Sequence, residues 1–109
     1  MIFELEPVKR DKLGRNVADY QPRDFYEKLA EEFLEAHGEA AYLIDFDEET
    51  FPDDLVQDMK LKEARELIDL MTVCATRIAA LDLPQDTFKQ IQLDTINRNR
   101  ERGYLNSED

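Results

Sequence analysis

Glu66-Leu67-Ile68-Asp69-Leu70-Met71-Thr72-Val73-Cys74-Ala75, residues 66–75, reads as the middle of the chain's central helix. Around it Leu61, Ala64, Leu67, Ile68, Met71, Ala75, Ile78 and Ala79 follow one face at helical spacing between Met59 and Leu81. Leu70, Val73 and Cys74 lie off that stripe, and only Asp69 and Arg77 carry charge between Leu67 and Leu81, so this helix is expected to be covered on more than one side. Cys74 then reads as a small buried thiol.

Beyond this helix, Asp82-Leu83-Pro84 is a break. Phe88, Ile91, Leu93 and Ile96 carry a third helix from Gln85 or Asp86 to Arg102, and Gly103 stops it. Before the central helix, residues 45–58 combine a run of acids with Pro52 and show no sustained period, which predicts a loop with a short helical turn after the proline. Upstream again, Asp24 is a capping-type residue with Glu27 three places later, and Phe25, Tyr26, Leu29, Ala30, Phe33 and Ala36 recur at helical spacing. A helix over 24–37 follows, with His37 just before a stop at Gly38 or with a continuation into Glu39–Leu43. Residues 1–21 are expected to form a partly helical arm packed through Phe3, Leu5, Val8, Leu13, Val17 and Tyr20, and residues 106–109 a frayed tail.

Three helices with short connections in 109 residues predict a single all-α domain, a helical bundle. A bundle of three leaves apolar area over on the central helix, so a dimer or higher oligomer is expected to complete it. The chain opens without a signal-like segment and has no apolar run of the ~20 residues a bilayer requires, which predicts a cytoplasmic protein with no membrane partner.

The net charge of −12 argues against general nucleic-acid binding. Residues 27–69 hold fifteen of the 26 acids against four bases, while Lys9, Arg10, Lys12, Arg15, Arg98, Arg100 and Arg102 place half of all the bases near the two ends. An acidic centre framed by basic clusters suits a metal cation bridging to an anionic ligand, and it also suits plain solubility.

Asp69 interrupts an apolar segment, where an ionised carboxylate is costly unless a cation or donors meet it. Glu66 lies three residues before it, and Glu32 and Glu35 repeat the spacing on the first helix. Four carboxylates on two facing helices repel one another unless a divalent ion sits among them, and an all-oxygen set selects magnesium or manganese. Such pairs are also common on solvated helix faces, and Arg65 or Arg77 could neutralise Asp69 as a structural pair. Arg98, Arg100 and Arg102 either complement the negative end of the third helix or clamp phosphate. His37 is assigned no catalysis.

Lys28-Leu29-Ala30-Glu31-Glu32-Phe33-Leu34-Glu35-Ala36 resembles the Lys-Leu-x-Glu-Glu-x-x-Glu helix of the MazG-type all-α nucleotide pyrophosphohydrolases, a family that includes proteins similar to phosphoribosyl-ATP pyrophosphohydrolase. Glu63-Ala64-Arg65-Glu66-Leu67-Ile68-Asp69-Leu70 looks like the Glu-x-x-Asp helix of that family. Val8-Lys9-Arg10-Asp11-Lys12-Leu13 is similar to the Leu-Val-Arg-Asp-Lys-Ile opening of one branch, and Asn99-Arg100-Glu101-Arg102-Gly103-Tyr104 to its Lys-Glu-Arg-Gly-Gly-Phe close. The stretch from Ala36 to Arg65 is longer than the family usually shows, and no residues that read a nucleobase are recognisable.

The resemblance implies a MazG-like bundle working as a homodimer or homotetramer. It implies magnesium, with manganese as a substitute, held by Glu32, Glu35, Glu66 and Asp69, and cleavage of an α–β phosphoanhydride of a nucleotide to a monophosphate and pyrophosphate. Glu31 or Glu32 is the candidate base that activates water, and Lys9, Arg10, Lys12, Arg98, Arg100 and Arg102 are the candidates for holding phosphates, across a subunit boundary where necessary. The alternative from another class is a non-catalytic acidic helical protein that engages a basic partner or mimics a nucleic acid.

Overall fold

The computed structural model describes residues 4–45 and 51–103, with side chains described for 4–41 and 51–103. The readings placed on Phe3, on the acids at 46–50 and on the tail 106–109 lie outside these residues. The chain is all-α, as expected: α1 spans Pro22–Asp45, α2 Asp53–Ala80 and α3 Gln85–Glu101, with a 3-10 turn at Val17–Asp19 ahead of them.

The helix starts follow local chemistry. Pro22 opens α1, where its missing N–H costs nothing, and Asp24 reaches back to accept a hydrogen bond from the Gln21 N–H at 2.7 Å. Asp24 is thus the returning half of the cap and not its first residue. Gly38 does not stop α1; among helix-forming neighbours its cost of about 1 kcal/mol relative to Ala is outweighed, so His37 lies mid-helix, stacked on Phe33. Pro52 precedes α2, with Asp53 and Asp54 in the first turn at its positive end, so 53–58 is helix and not loop. Asp82 takes a positive φ of 51° after the α2 cap, and Gly103 closes α3 with φ 76°.

Phe25 lies beside Arg77, and Glu32 and Glu35 lie beside Glu66, so α1 and α2 run antiparallel as a hairpin. Its seam is built from Phe25, Leu29, Glu32 and Ala36 on α1 and from Val56, Met59, Glu63, Glu66, Leu70, Val73 and Arg77 on α2, all at least half-buried. The α2 positions alternate three and four apart, the period that keeps one seam toward a partner helix. That seam is not the apolar stripe singled out from the sequence. Leu61, Ala64 and Ile68 are exposed, as are Ile78 and Cys74, so α2 is covered by α1 and the arm but not around its far side.

Helix α3 touches the hairpin only marginally. Its Ile91, Leu93 and Ile96 are 48%, 54% and 44% exposed, and the radius of gyration is 17.4 Å against about 13 Å for a compact domain of this size. The described residues of one chain therefore form a hairpin with an outlying helix and no closed three-helix bundle.

The arm is mostly extended. It is pinned where the Val8 N–H donates to Thr76 Oγ1 at 3.0 Å, and it turns back on itself so that the Val17 N–H donates to the Lys9 carbonyl. Asp11 holds the turn by accepting from the Leu13 and Arg15 N–H groups, with Gly14 at φ 81°. Tyr20 donates to Asp11 and packs edge-on against Phe25, and Arg15 bridges to Asp24 at 3.0 Å. Among the described residues no helix is long and apolar enough to cross a membrane.

Candidate metal centre and adjoining cleft

Side chains three apart project from neighbouring points of one helix face, and the antiparallel hairpin sets the Glu32 and Glu35 step of α1 opposite Glu66 of α2. Carboxylate oxygens of Glu32, Glu35 and Glu66 all lie within 4.8 Å of one another. Glu32 is the most buried of the three, at 6% exposed, because it occupies the seam between Leu29 and Ala36.

Burial and the neighbouring charges of Glu35, Asp69 and Glu32 push the Glu66 carboxyl above the usual range, and a hydrogen bond with Glu35 acts in the same direction. Two buried oxygens, Glu32 Oε2 and Glu66 Oε2, have no hydrogen-bond partner among the described residues. A buried, unpartnered carboxylate oxygen is costly, and a cation among these oxygens relieves both the desolvation and the repulsion. The donor set, carboxylate oxygen alone, suits magnesium or manganese.

Asp69 stands differently from the reading given to it. It is exposed, one turn from Glu66 and outside the three-glutamate set; of the apolar residues flanking it, Leu67 and Ile68 are exposed and only Leu70 turns into the seam. Its charge nevertheless reaches Glu66. No ion pair joins Arg65 or Arg77 to Asp69 among the described residues; Arg77 lies instead over the Phe25 ring at 5.1 Å. Glu31 is exposed and turned to Lys28, whose ammonium also pairs with Glu32 Oε1 at 3.0 Å. Burial acts against the charge on Lys28, but the paired carboxylates outweigh it and raise its pKa.

Alongside the carboxylates, the arm, α1 and α2 enclose a cleft of about 270 Å³. Glu32 and Asp69 line it together with Arg10 and Lys12, so two of the six basic candidates share a cavity with the carboxylates. Lys9 lines a different, shallower surface toward Ala79 and Ala80. Arg98, Arg100 and Arg102 sit at the far end of α3, in its last turn and cap, where they complement the negative helix end; Arg98 lines a surface hollow with Asp94 and Glu101.

Sequence reasoning passed over Lys28, Thr76 and the Asp11–Tyr20 contact. The Asp11 turn was announced by Asp11 and Gly14, but which helix an extended arm docks on has no periodic signature. Comparison with protein-family models, with curated proteins and with solved structures finds no match.

Proposed function

We propose that the chain is a magnesium-dependent nucleotide pyrophosphohydrolase of the MazG type, splitting an α–β phosphoanhydride to a monophosphate and pyrophosphate. The observation that carries this reading is the meeting of Glu32, Glu35 and Glu66 within 4.8 Å, with buried oxygens of Glu32 and Glu66 left unpartnered among the described residues. Glu32, Glu35 and Glu66 would hold the ion, with Asp69 at the edge of the set. When bound, magnesium supplies charge neutralisation along the phosphate chain and a more acidic water.

The chain's own groups have separable tasks. Lys28 holds Glu32 Oε1 and so fixes the direction of Oε2. Arg10 and Lys12 are the cations able to meet phosphate oxygens from within the same cleft. A proton leaving water needs an acceptor in the carboxylate set; Glu32, buried within it, meets that condition and Glu31, exposed and outside it, does not.

Self-association belongs to the same reading. The exposed stripe Leu61, Ala64, Ile68 and Ile78 on α2 and the exposed apolar side chains of α3 support a homodimer or homotetramer in which copies complete the bundle. Arg98, Arg100 and Arg102 would then reach phosphate only across a subunit boundary.

The test is pyrophosphate release from a panel of nucleoside triphosphates and phosphoribosyl-ATP, with magnesium and with chelator, for the wild type, Glu32→Gln and Asp69→Asn. The expected result is metal-dependent release that falls about 100-fold or more in Glu32→Gln, with the variant still folded. No release from any compound, together with no thermal stabilisation by magnesium, would favour the acidic interaction protein instead.

A further inference from the structure

Glu32, Asp69 and Asp11 all line the cleft between the arm, α1 and α2, and they stand differently. Glu32 keeps a buried oxygen without a partner among the described residues, Asp69 is exposed, and the Asp11 carboxylate is filled by donors of its own arm. Asp11 Oδ1 accepts from the Leu13 and Arg15 N–H groups, both at 2.9 Å, and Oδ2 accepts from the Tyr20 hydroxyl at 2.7 Å. The Asp11 N–H donates to the Arg15 carbonyl and the Gly14 N–H to the Asp11 carbonyl, so the main chain and side chain of this residue together close the turn. The bond to Tyr20 is the largest influence on both groups, holding the Asp11 carboxyl below its ordinary value and the Tyr20 hydroxyl above.

Tyr20 carries the attachment onward. Its ring packs edge-on against Phe25, buried at the start of α1, and the Arg15 guanidinium lies over it at 4.7 Å while pairing with Asp24. The turn is thereby fixed to the hairpin. Arg10 and Lys12, on either side of Asp11 in sequence, are exposed, line the same cleft and have no ion-pair partner among the described residues. A free carboxylate between two phosphate-binding cations would work against them, whereas one that already meets three donors is explained by what it fixes. Ordering long side chains and the loop that bears them costs free energy on binding, and a backbone held in place beforehand lowers that cost.

We propose that Asp11 is a positioning residue for phosphate binding: through its turn and Tyr20 it holds the backbone of Arg10 and Lys12 at the cleft beside the carboxylates, and it touches no ligand itself. The proposal rests on the hydrolase reading for the phosphate-bearing substrate.

The test measures binding of inorganic triphosphate with magnesium by calorimetry and, in parallel, KM and kcat for pyrophosphate release from nucleoside triphosphates, all on the full chain. Asp11→Ala, with helix content unchanged by circular dichroism, is expected to raise Kd and KM about tenfold and to leave kcat within about threefold. Asp11→Asn, which keeps Oδ1 for the two N–H groups and can donate to the Tyr20 oxygen, is expected to recover most of the loss. In an Arg10→Gln/Lys12→Gln background, titrated to higher triphosphate, adding Asp11→Ala is expected to change Kd by less than about twofold, because its effect passes through those two side chains. A further loss of about tenfold in that background, an Asp11→Asn as weak as Asp11→Ala, a fall confined to kcat, or no triphosphate binding by the wild type overturns the proposal. Triphosphate binding that follows the expected pattern without release from any nucleotide retains the role of Asp11 and removes the hydrolase. Release with an unchanged KM in Asp11→Ala retains the hydrolase and removes that role.

Discussion

The face of α2 that meets α1 carries Glu63, Glu66 and Arg77 among Val56, Met59, Leu70 and Val73, whereas the face turned away carries Leu61, Ala64, Ile68, Met71, Ala75 and Ile78. The two stripes share the same alternation of three and four and lie roughly 140° apart at 100° per residue. The more polar one is covered and the more apolar one is largely exposed. Burial by size and apolarity alone would have chosen the reverse. The seam is where the hairpin brings its carboxylates together; the outer stripe is left uncovered among the described residues, and on the proposed reading a second copy would cover it.

Four measurements break or sharpen this contrast. The largest effect belongs to the seam: Phe25, 4% exposed and in contact with Tyr20 and Arg77, is expected to cost about 3–5 kcal/mol on replacement by alanine, read from urea unfolding. Next is the pH response of the metal-free protein. The folded Glu66 carboxyl titrates above 4.5, so the folded state binds a proton more readily than the unfolded chain, and stability falls as pH rises from 4.5 through the raised folded value. Glu66→Gln should flatten that fall and raise the melting temperature at neutral pH, and magnesium should do the same for the wild type; an unchanged slope would mean that the carboxylates do not repel.

A smaller loss, about 0.5–1.5 kcal/mol, is expected from Thr76→Val, which removes the acceptor for the Val8 N–H and frees the arm, visible as faster amide exchange at Val8. The smallest is Ile68→Ser on the outer stripe. At high dilution it should change stability by no more than about 0.5 kcal/mol, while at high concentration sedimentation should show the wild type assembling and the variant not. A large loss in the dilute variant would mean that the outer face is already covered within one chain.

The helices were legible because their ends are written in local chemistry: Pro84 and Gly103 bound α3 as expected, and the pairing of Glu32 and Glu35 with Glu66 followed from spacing once the two helices were antiparallel. Of the two ends weighed for α1 the continuation past Gly38 holds, because a glycine penalty is small beside a long run of helix formers. Asp69 misled. Its flanking Leu67, Ile68 and Leu70 suggested burial, yet Leu67 and Ile68 face outward and the buried acid is Glu32, whose neighbours in sequence include two further glutamates and a phenylalanine. The number of apolar stripes a helix has can be read from its sequence, but which of them a given neighbour covers depends on that neighbour's own needs. The arm was illegible for another reason, since its attachment runs through single contacts such as Val8 to Thr76 that leave no period behind.

Lys28 gives the cluster a definite electrical balance. Its ammonium touches Glu32 while Glu32, Glu35 and Glu66 share one small volume; counting those three alone, with Glu31 and Asp69 at the rim, three negative charges face one positive charge and the remainder equals the charge of a single divalent ion. On the proposed reading, one divalent ion would balance those three carboxylates and Lys28 in the absence of nucleotide. A second ion would have to arrive with its own counter-charge, and the phosphates of a bound nucleotide are the natural carriers. Replacing Lys28 by methionine would leave the set one charge short of balance and raise its appetite for cations, a change in binding stoichiometry rather than in shape.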